Sequence, residues 1–396
     1  MRIDTSWLSL YSPDFSPYAS MDPNKRLMLV GADPFFPDRC IPQHIIDATK
    51  RALDDGKTHY ALDNSYAVPE LKEQLIRKLK DFNGLIVDPE TELIVVPSSA
   101  YGLYAGIRIC VRPNRGDEVL NIDPGFAENF NDCHQIGVTS VSVPVFKEDG
   151  FQLRIEELEK RVSPHTRCLV LTNPNNPTST VYRREVLEEL ADFLERYDLM
   201  AVVDQSFERN VYDGREYVTF AALNEIAREH TISVFGTSKD LGLTGFRVGY
   251  MVAPKQIIDV LKIATFNYVG PTNTFAQYGV AAGYADPSYV DGWMKIFDQR
   301  RRFGHQILNE IPGVECLLPE GGYYFWVDIH RLGSSIEVRD HLIRDAQVGV
   351  APGCWFGSYG EGFLRIMFST MKETCRYEEA MRRIADSLRK LPIRNF

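Results

Sequence analysis

Residues 237–250 read Thr-Ser-Lys-Asp-Leu-Gly-Leu-Thr-Gly-Phe-Arg-Val-Gly-Tyr. The apolar, β-branched run Thr231–Phe235 leads into this stretch, and such a run before a turn-rich segment reads as a buried strand. One lysine, three glycines and an arginine then follow in quick succession. A lysine amine can condense with an aldehyde and afterwards act as base and acid. The arginine eight residues further on carries a planar fork suited to phosphate. A lone Ser-Lys pair reads as an ordinary surface feature; a pattern of this length does not.

Working outward, further strands are predicted at Glu92–Val96, Glu118–Ile122, Ser140–Phe146, Arg167–Leu171, Met200–Asp204 and Arg247–Val252. Between several of them lie amphipathic stretches such as Arg183–Tyr197, with apolar residues at helical spacing. That alternation predicts an α/β fold with a mostly parallel sheet covered on both faces. Ligands of such sheets bind at the carboxyl ends of the strands. After Ala285 the pattern changes to α+β, with helices predicted at Tyr289–Glu310, Ser335–Ala346 and Lys372–Lys390 around the strand-like GGYYFWVDI and FLRIMFS. The expected division is an arm and part of a small domain over 1–45, a large domain over 46–290, and the rest of the small domain over 291–396.

Bulk properties narrow the class. The 396 residues suffice for two domains, and the net charge of −10 argues against a general nucleic-acid surface. Seven scattered cysteines without any CxxC point away from a disulfide framework or a metal cluster and towards a reducing cytoplasm. The start lacks the pattern of a signal peptide, and no apolar run approaches the roughly 18 residues of a membrane span.

The Thr237–Tyr250 stretch resembles the lysine signature of the class I/II aminotransferases, enzymes of pyridoxal 5′-phosphate (PLP) with the aspartate-aminotransferase fold (fold type I). It has local similarity to aminocyclopropane-carboxylate synthases. The resemblance implies a large domain with a seven-stranded, mostly parallel sheet plus a small α+β domain. It also implies that Lys239 carries PLP as a Schiff base and that Arg247 binds its phosphate. Three further segments agree in order. Asn173–Thr178 (NPNNPT) resembles the loop whose second asparagine, here Asn176, meets the cofactor's phenolic oxygen and the substrate. Ala201–Asp204 resembles the strand whose aspartate, here Asp204, pairs with the pyridine nitrogen and makes the ring an electron sink. Phe363–Ser369 resembles the strand whose arginine, here Arg365, clamps the substrate carboxylate.

Other matches fill out the site. Ser98, Ser99 and Ser238 are implied at the phosphate, the first two before a helix N-terminus. Phe126 is implied as the ring stacked on the cofactor, and Gly31 lies in a segment passing the substrate carboxylate. Tyr60 matches a tyrosine that reaches the neighbouring subunit's phosphate, which implies a homodimer with shared sites. The substrates implied are an L-amino acid and a 2-oxo acid.

The sequence also departs from the family pattern. Phe207 stands where the family has a tyrosine, so a hydroxyl donor to the phenolic oxygen is absent. The lysine–cofactor imine is therefore expected to hold its proton to higher pH. Gly236 replaces a phosphate-binding serine, for which Thr237 or Ser238 is expected to compensate, and Ser179 replaces the glycine that ends the asparagine loop. Tyr66 is expected at the substrate entrance, and with Phe126, Tyr268 and Trp355 it suits an apolar or aromatic side chain and equally suits ordinary packing. Two other outcomes use the same residues: a lyase, cyclase, decarboxylation or replacement reaction, and a ligand-sensing domain without catalysis. The first 40 residues show no helix-turn-helix pattern and the Lys, Asp, Asn and Arg set is intact, so catalysis is expected rather than sensing.

Overall fold

The computed structural model describes residues 13–394, so the first twelve residues of the expected N-terminal arm lie outside it. Its strands are β1 (Leu27–Met28), β2 (Leu93–Val96), β3 (Glu118–Asp123), β4 (Thr139–Pro144), β5 (Thr166–Thr172), β6 (Met200–Asp204) and β7 (Thr231–Gly236). They continue with β8 (Gly249–Val252), β9 (Glu315–Cys316), β10 (Tyr324–Asp328), β11 (Val348–Gly349), β12 (Ala351–Pro352) and β13 (Phe363–Met367). A seven-stranded sheet runs β2-β8-β7-β6-β5-β3-β4. All its neighbours pair in parallel except β8, which is antiparallel to both β2 and β7.

Burial on both faces explains why these strands are nearly continuous apolar runs. Within β5, Cys168 and Val170 belong to one packed layer, whereas Leu169 and Leu171 belong to the opposite one. Helix Arg184–Tyr197 covers the second face with Leu187, Leu190 and Leu194. Helix Ser99–Cys110 covers the first, and it lies unusually close. A Cβ on Gly102 would come within 2.8 Å of Val234, and one on Gly106 within 3.0 Å of Val202. Two glycines one turn apart therefore set that helix down on the sheet and fix its N-terminus beside the strand ends.

The predicted strand at Arg247 begins two residues late. Arg247 has φ +56° and follows the 3₁₀ turn Thr244–Phe246, so the extended chain resumes only at Gly249. A second core joins both ends of the chain: Leu27, Leu29 and Phe35 pack with Phe297, Tyr324, Leu364 and Tyr377. The four-stranded antiparallel sheet β12-β13-β10-β9 lies within this part, bounded by helices Ser288–Asn309, Ser335–Asp345 and Thr374–Leu388. Among the described residues no helix is long and apolar enough to cross a membrane.

Candidate active site

The loops that leave the carboxyl ends of β2, β3, β5, β6 and β7 converge on a cavity of about 300 Å³, the strand end at which ligands of such sheets bind. Ser99, Phe126, Asn176, Asp204 and Phe207 line it from these loops. Ser238, Lys239 and Arg247 line it from the lysine stretch, and Arg365 reaches it from β13. A roomier hollow of about 510 Å³ between helices Gln43–Asp54, Pro69–Asp81 and Thr274–Ala285 gathers no comparable set of reactive groups.

Lys239 lies in the short helix Thr237–Asp240 directly after β7, and its Nζ donates to the carbonyl of Ala32. Burial is the largest influence on this amine and pulls its pKa down to about 8; Arg365 and Arg247 add to the fall, and Asp33 and Asp204 oppose it. Desolvation disfavours the ammonium form, so the amine is far easier to deprotonate than a surface lysine. Asp204, at the end of β6, is buried, and one of its oxygens accepts from the Ser206 amide at 3.0 Å and the Ser206 hydroxyl at 2.6 Å. Burial raises its pKa against those bonds.

Arg365 is buried on β13. Its Nη1 donates to Asn176 Oδ1 and its Nη2 to the Val30 carbonyl, both at 2.9 Å, while its Nε has no partner among the described residues. The guanidinium lies 4.5 Å from the centre of the Phe356 ring. Because arginine only donates, the oxygen of the Asn176 amide is the atom that faces it. The NH₂ of that amide has no partner among the described residues and is free for a ligand.

Gly236 explains its own departure from the family pattern. A Cβ there would lie 2.9 Å from the Ser99 hydroxyl and 3.1 Å from the Ser206 hydroxyl. The space of the absent serine side chain is thus filled by two other hydroxyls. Of the two residues expected to compensate, Thr237 donates its hydroxyl to the Val248 carbonyl at 2.8 Å, whereas Ser238 lines the cavity. Ser179 holds φ +63° without being glycine, and its hydroxyl donates to the Tyr324 carbonyl at 2.6 Å, a tie across to β10. Phe207 packs edge-on to Tyr323 and Tyr324, with ring centres 5.2 and 5.3 Å away.

Three expected residues stand apart from the cavity wall. Ser98 caps the helix it precedes by accepting from the Tyr101 amide at 3.3 Å, a local duty that holds its hydroxyl. Gly31 lies between Val30, whose carbonyl Arg365 holds, and Ala32, which lines the cavity. Tyr60 is 72% exposed. Of the aromatic residues expected near the substrate only Phe126 lines the cavity; the Tyr66 hydroxyl is held by the Lys262 carbonyl at 3.2 Å. Sequence reasoning missed Ala32, Ala100, Glu128, Ser206 and Thr244, which also line the wall. Each lies within two residues of an expected position or inside the lysine stretch, so the signal was proximity alone.

The chain matches the family model described as aminotransferase class I and II over residues 30–384. It is 35% identical to an aromatic-amino-acid aminotransferase 2 of Thermococcus litoralis, across 89% of this chain and 90% of that protein. It is equally 35% identical to an aspartate aminotransferase of Pyrococcus abyssi, with the same coverage of each. The solved structure of an aromatic aminotransferase from Pyrococcus horikoshii superposes with a TM-score of 0.86 at 32% identity, covering 95% of this chain and 98% of that one.

Proposed function

Because the chain belongs to the class I and II aminotransferase family and is a PLP-dependent aminotransferase, we propose that its cavity at the strand ends is the transamination site and that Lys239 is its central residue. The observation that carries this reading is the meeting of Lys239, Asp204, Asn176, Arg247 and Arg365 in one cavity. The aminotransferase reading takes precedence over the lyase alternative, since the relatives are aspartate or aromatic aminotransferases.

The residues fit PLP. Hydroxyls of Ser99 and Ser206 crowd the Gly236 backbone, Ser238 and Arg247 flank them on the wall, and the Asn176 NH₂ is unengaged. Ser99 also opens a helix, where amides and the helix dipole favour a phosphate. When bound, PLP supplies an aldehyde for the amine and a ring that accepts electrons from the substrate Cα–H bond. Asp204 would hold the ring nitrogen, and a cation there would offset the burial that raises the Asp204 pKa. Arg365 retains donors for the substrate carboxylate, and bidentate pairing fixes the orientation of the Cα–H bond. Lys239 Nζ is the base that would take the proton from the substrate Cα and the acid that would give it back. Its lowered pKa keeps a useful fraction unprotonated near neutrality.

The substrates are an L-amino acid and a 2-oxo acid, and the active form is a homodimer. Helix Lys255–Tyr268 and its end expose Ile263, Phe266, Tyr268 and Val269, an apolar face that is unusual on a lone subunit. Tyr60 and Leu62 are exposed as well. The Thr274 hydroxyl ties the loop of Tyr60 to the same region through the His59 carbonyl, and the Thr272 hydroxyl ties the Arg247 carbonyl. These ties link the Arg247 side of the cavity and the loop of Tyr60 to the segment that follows the exposed face, which supports a Tyr60 shared between subunits. The small domain is drawn from both chain ends, as the shared core of Leu27 and Tyr377 supports. Location in the cytoplasm agrees with seven unpaired cysteines.

Mixing the enzyme with an amino acid and no acceptor tests the reaction class. One equivalent of 2-oxo acid per site, without ammonia, is expected; continuous release of ammonia would contradict the reading. Ile263→Glu with Phe266→Glu is expected to shift sedimentation from dimer to monomer.

A further inference from the structure

The cavity holds one acid that transamination does not use. Glu128 stands in the first turn of helix Ala127–Ile136, two residues after Phe126, and lines the wall. It is open to solvent yet hemmed by protein, the situation of a group in a cavity wall. Among the described residues no cation or side-chain donor bonds its carboxylate; the bond it receives comes from its own amide. Burial is the largest influence and raises its pKa, with Arg365 and Lys239 acting against it. One helical turn on, Asp132 is pushed up to about 7, first by burial and then by Glu128.

A plain structural duty does not account for this pair. An acid in a first helical turn is favoured by the helix dipole, which covers Glu128 but not Asp132 in the middle of the helix. Like charges four residues apart repel each other, and a desolvated acid is costly while nothing pairs with it. The lining cations are Lys239, Arg247 and Arg365, and the proposed reaction engages them with the aldehyde, the phosphate and the substrate's α-carboxylate. Among the described residues of one subunit no lining cation remains for a second substrate carboxylate, and Glu128 repels one.

We propose that Glu128, with Asp132 behind it, selects an amino acid whose side chain ends in a nitrogen cation, an amine or a guanidinium. This rests on the reading of the cavity as the amino-acid site and adds the class of side chain. The cation meets Glu128 at the cavity wall, and the charge of Asp132 one turn behind, which Glu128 already feels, adds to the attraction.

Calorimetric titration of the holoenzyme with α-methyl amino acids tests it, because these lack the Cα hydrogen and report binding without turnover. The α-methyl-ornithine probe is expected to bind at least about ten-fold tighter than α-methyl-norvaline, the gain of a charge-assisted hydrogen bond. The α-methyl-aspartate probe is expected to be the weakest. Glu128→Gln is expected to bring the ornithine probe to the level of the norvaline probe. A tightest fit for the aspartate probe, or a preference that survives Glu128→Gln, overturns the proposal. The ranking of probes on the unaltered enzyme stands even if the variant folds poorly. Binding of α-methyl-norvaline that is lost in Arg365→Ala supports the amino-acid site independently of the ranking. If no probe binds, the reading of the site fails and this inference with it.

Discussion

Arg365 Nη1 donates to Asn176 Oδ1 at 2.9 Å, so the strand that carries the arginine and the loop that carries the asparagine hold each other across the cavity. The bond sets the Asn176 amide with its NH₂ outward. It also turns the guanidinium so that Nη2 reaches Val30 and Nε is left without a partner among the described residues. In the proposed function, one contact thereby orients together the residue that would meet the cofactor and the one that would hold the substrate.

Arg365→Lys keeps the charge but loses the fork. A fall in kcat/KM of about 10- to 100-fold is expected, carried mainly by KM, as one to two charge-assisted bonds are lost. Initial rates over a range of amino-acid concentrations check it. An unchanged KM would contradict the clamp.

Gly236→Ala places a methyl group 2.9 Å from the Ser99 hydroxyl and 3.1 Å from that of Ser206. Both must turn away, and Ser206 then weakens its bond to Asp204. PLP affinity measured by fluorescence is expected to fall, with a loss of stability of about 1–3 kcal/mol for overpacking. Retained affinity would show that neither hydroxyl matters to the cofactor.

The predicted sheet strands appear within a few residues of their expected bounds, since β-branched runs between turn formers carry their own signal. Helix Ser335–Asp345 was equally legible, and its N-terminus has the reciprocal bonds of Ser334 and Glu337. The site was legible where a residue type is chemically particular, as with Lys239, Asp204 and Arg365. What escaped was whatever depends on a neighbour in space. That Ser98 caps its own helix follows from the Tyr101 amide, and that the Ser99 and Ser206 hydroxyls fill the space beside Gly236 follows from how close those residues lie. Glu128 had no local signal, because a glutamate in a first helical turn looks ordinary.

Cofactor-free protein should gain stability with rising pH because of Lys239. Its amine has a pKa of about 8 in the fold against an ordinary 10.5. The penalty of a buried ammonium is complete below the folded value and vanishes above the unfolded one. Between the two the unfolded chain binds more protons, so unfolding free energy rises with pH, by up to about 3 kcal/mol. Urea denaturation across that window checks the slope, and Lys239→Met should flatten it.

Lys78 and Glu208 form a buried ion pair beneath the β6 exit, and Asn83 Nδ2 adds a bond to Glu208 at 2.6 Å. Lys78→Met leaves a buried carboxylate without its cation, at an expected cost of about 3–5 kcal/mol. Joint replacement by Lys78→Met and Glu208→Leu should recover much of that loss. Equilibrium unfolding of both variants distinguishes a stranded charge from lost packing: equal losses would contradict the ion-pair account.

The central claim is that Lys239 holds the cofactor and drives transamination, and an absorption spectrum of the purified protein tests it most directly. The enzyme saturated with PLP should show a visible band that an amino-acid substrate converts to the ultraviolet absorption of the amine form, and Lys239→Ala should abolish both the band and the turnover. A band and turnover that persist in Lys239→Ala, or the absence of any band after PLP is added, would contradict it.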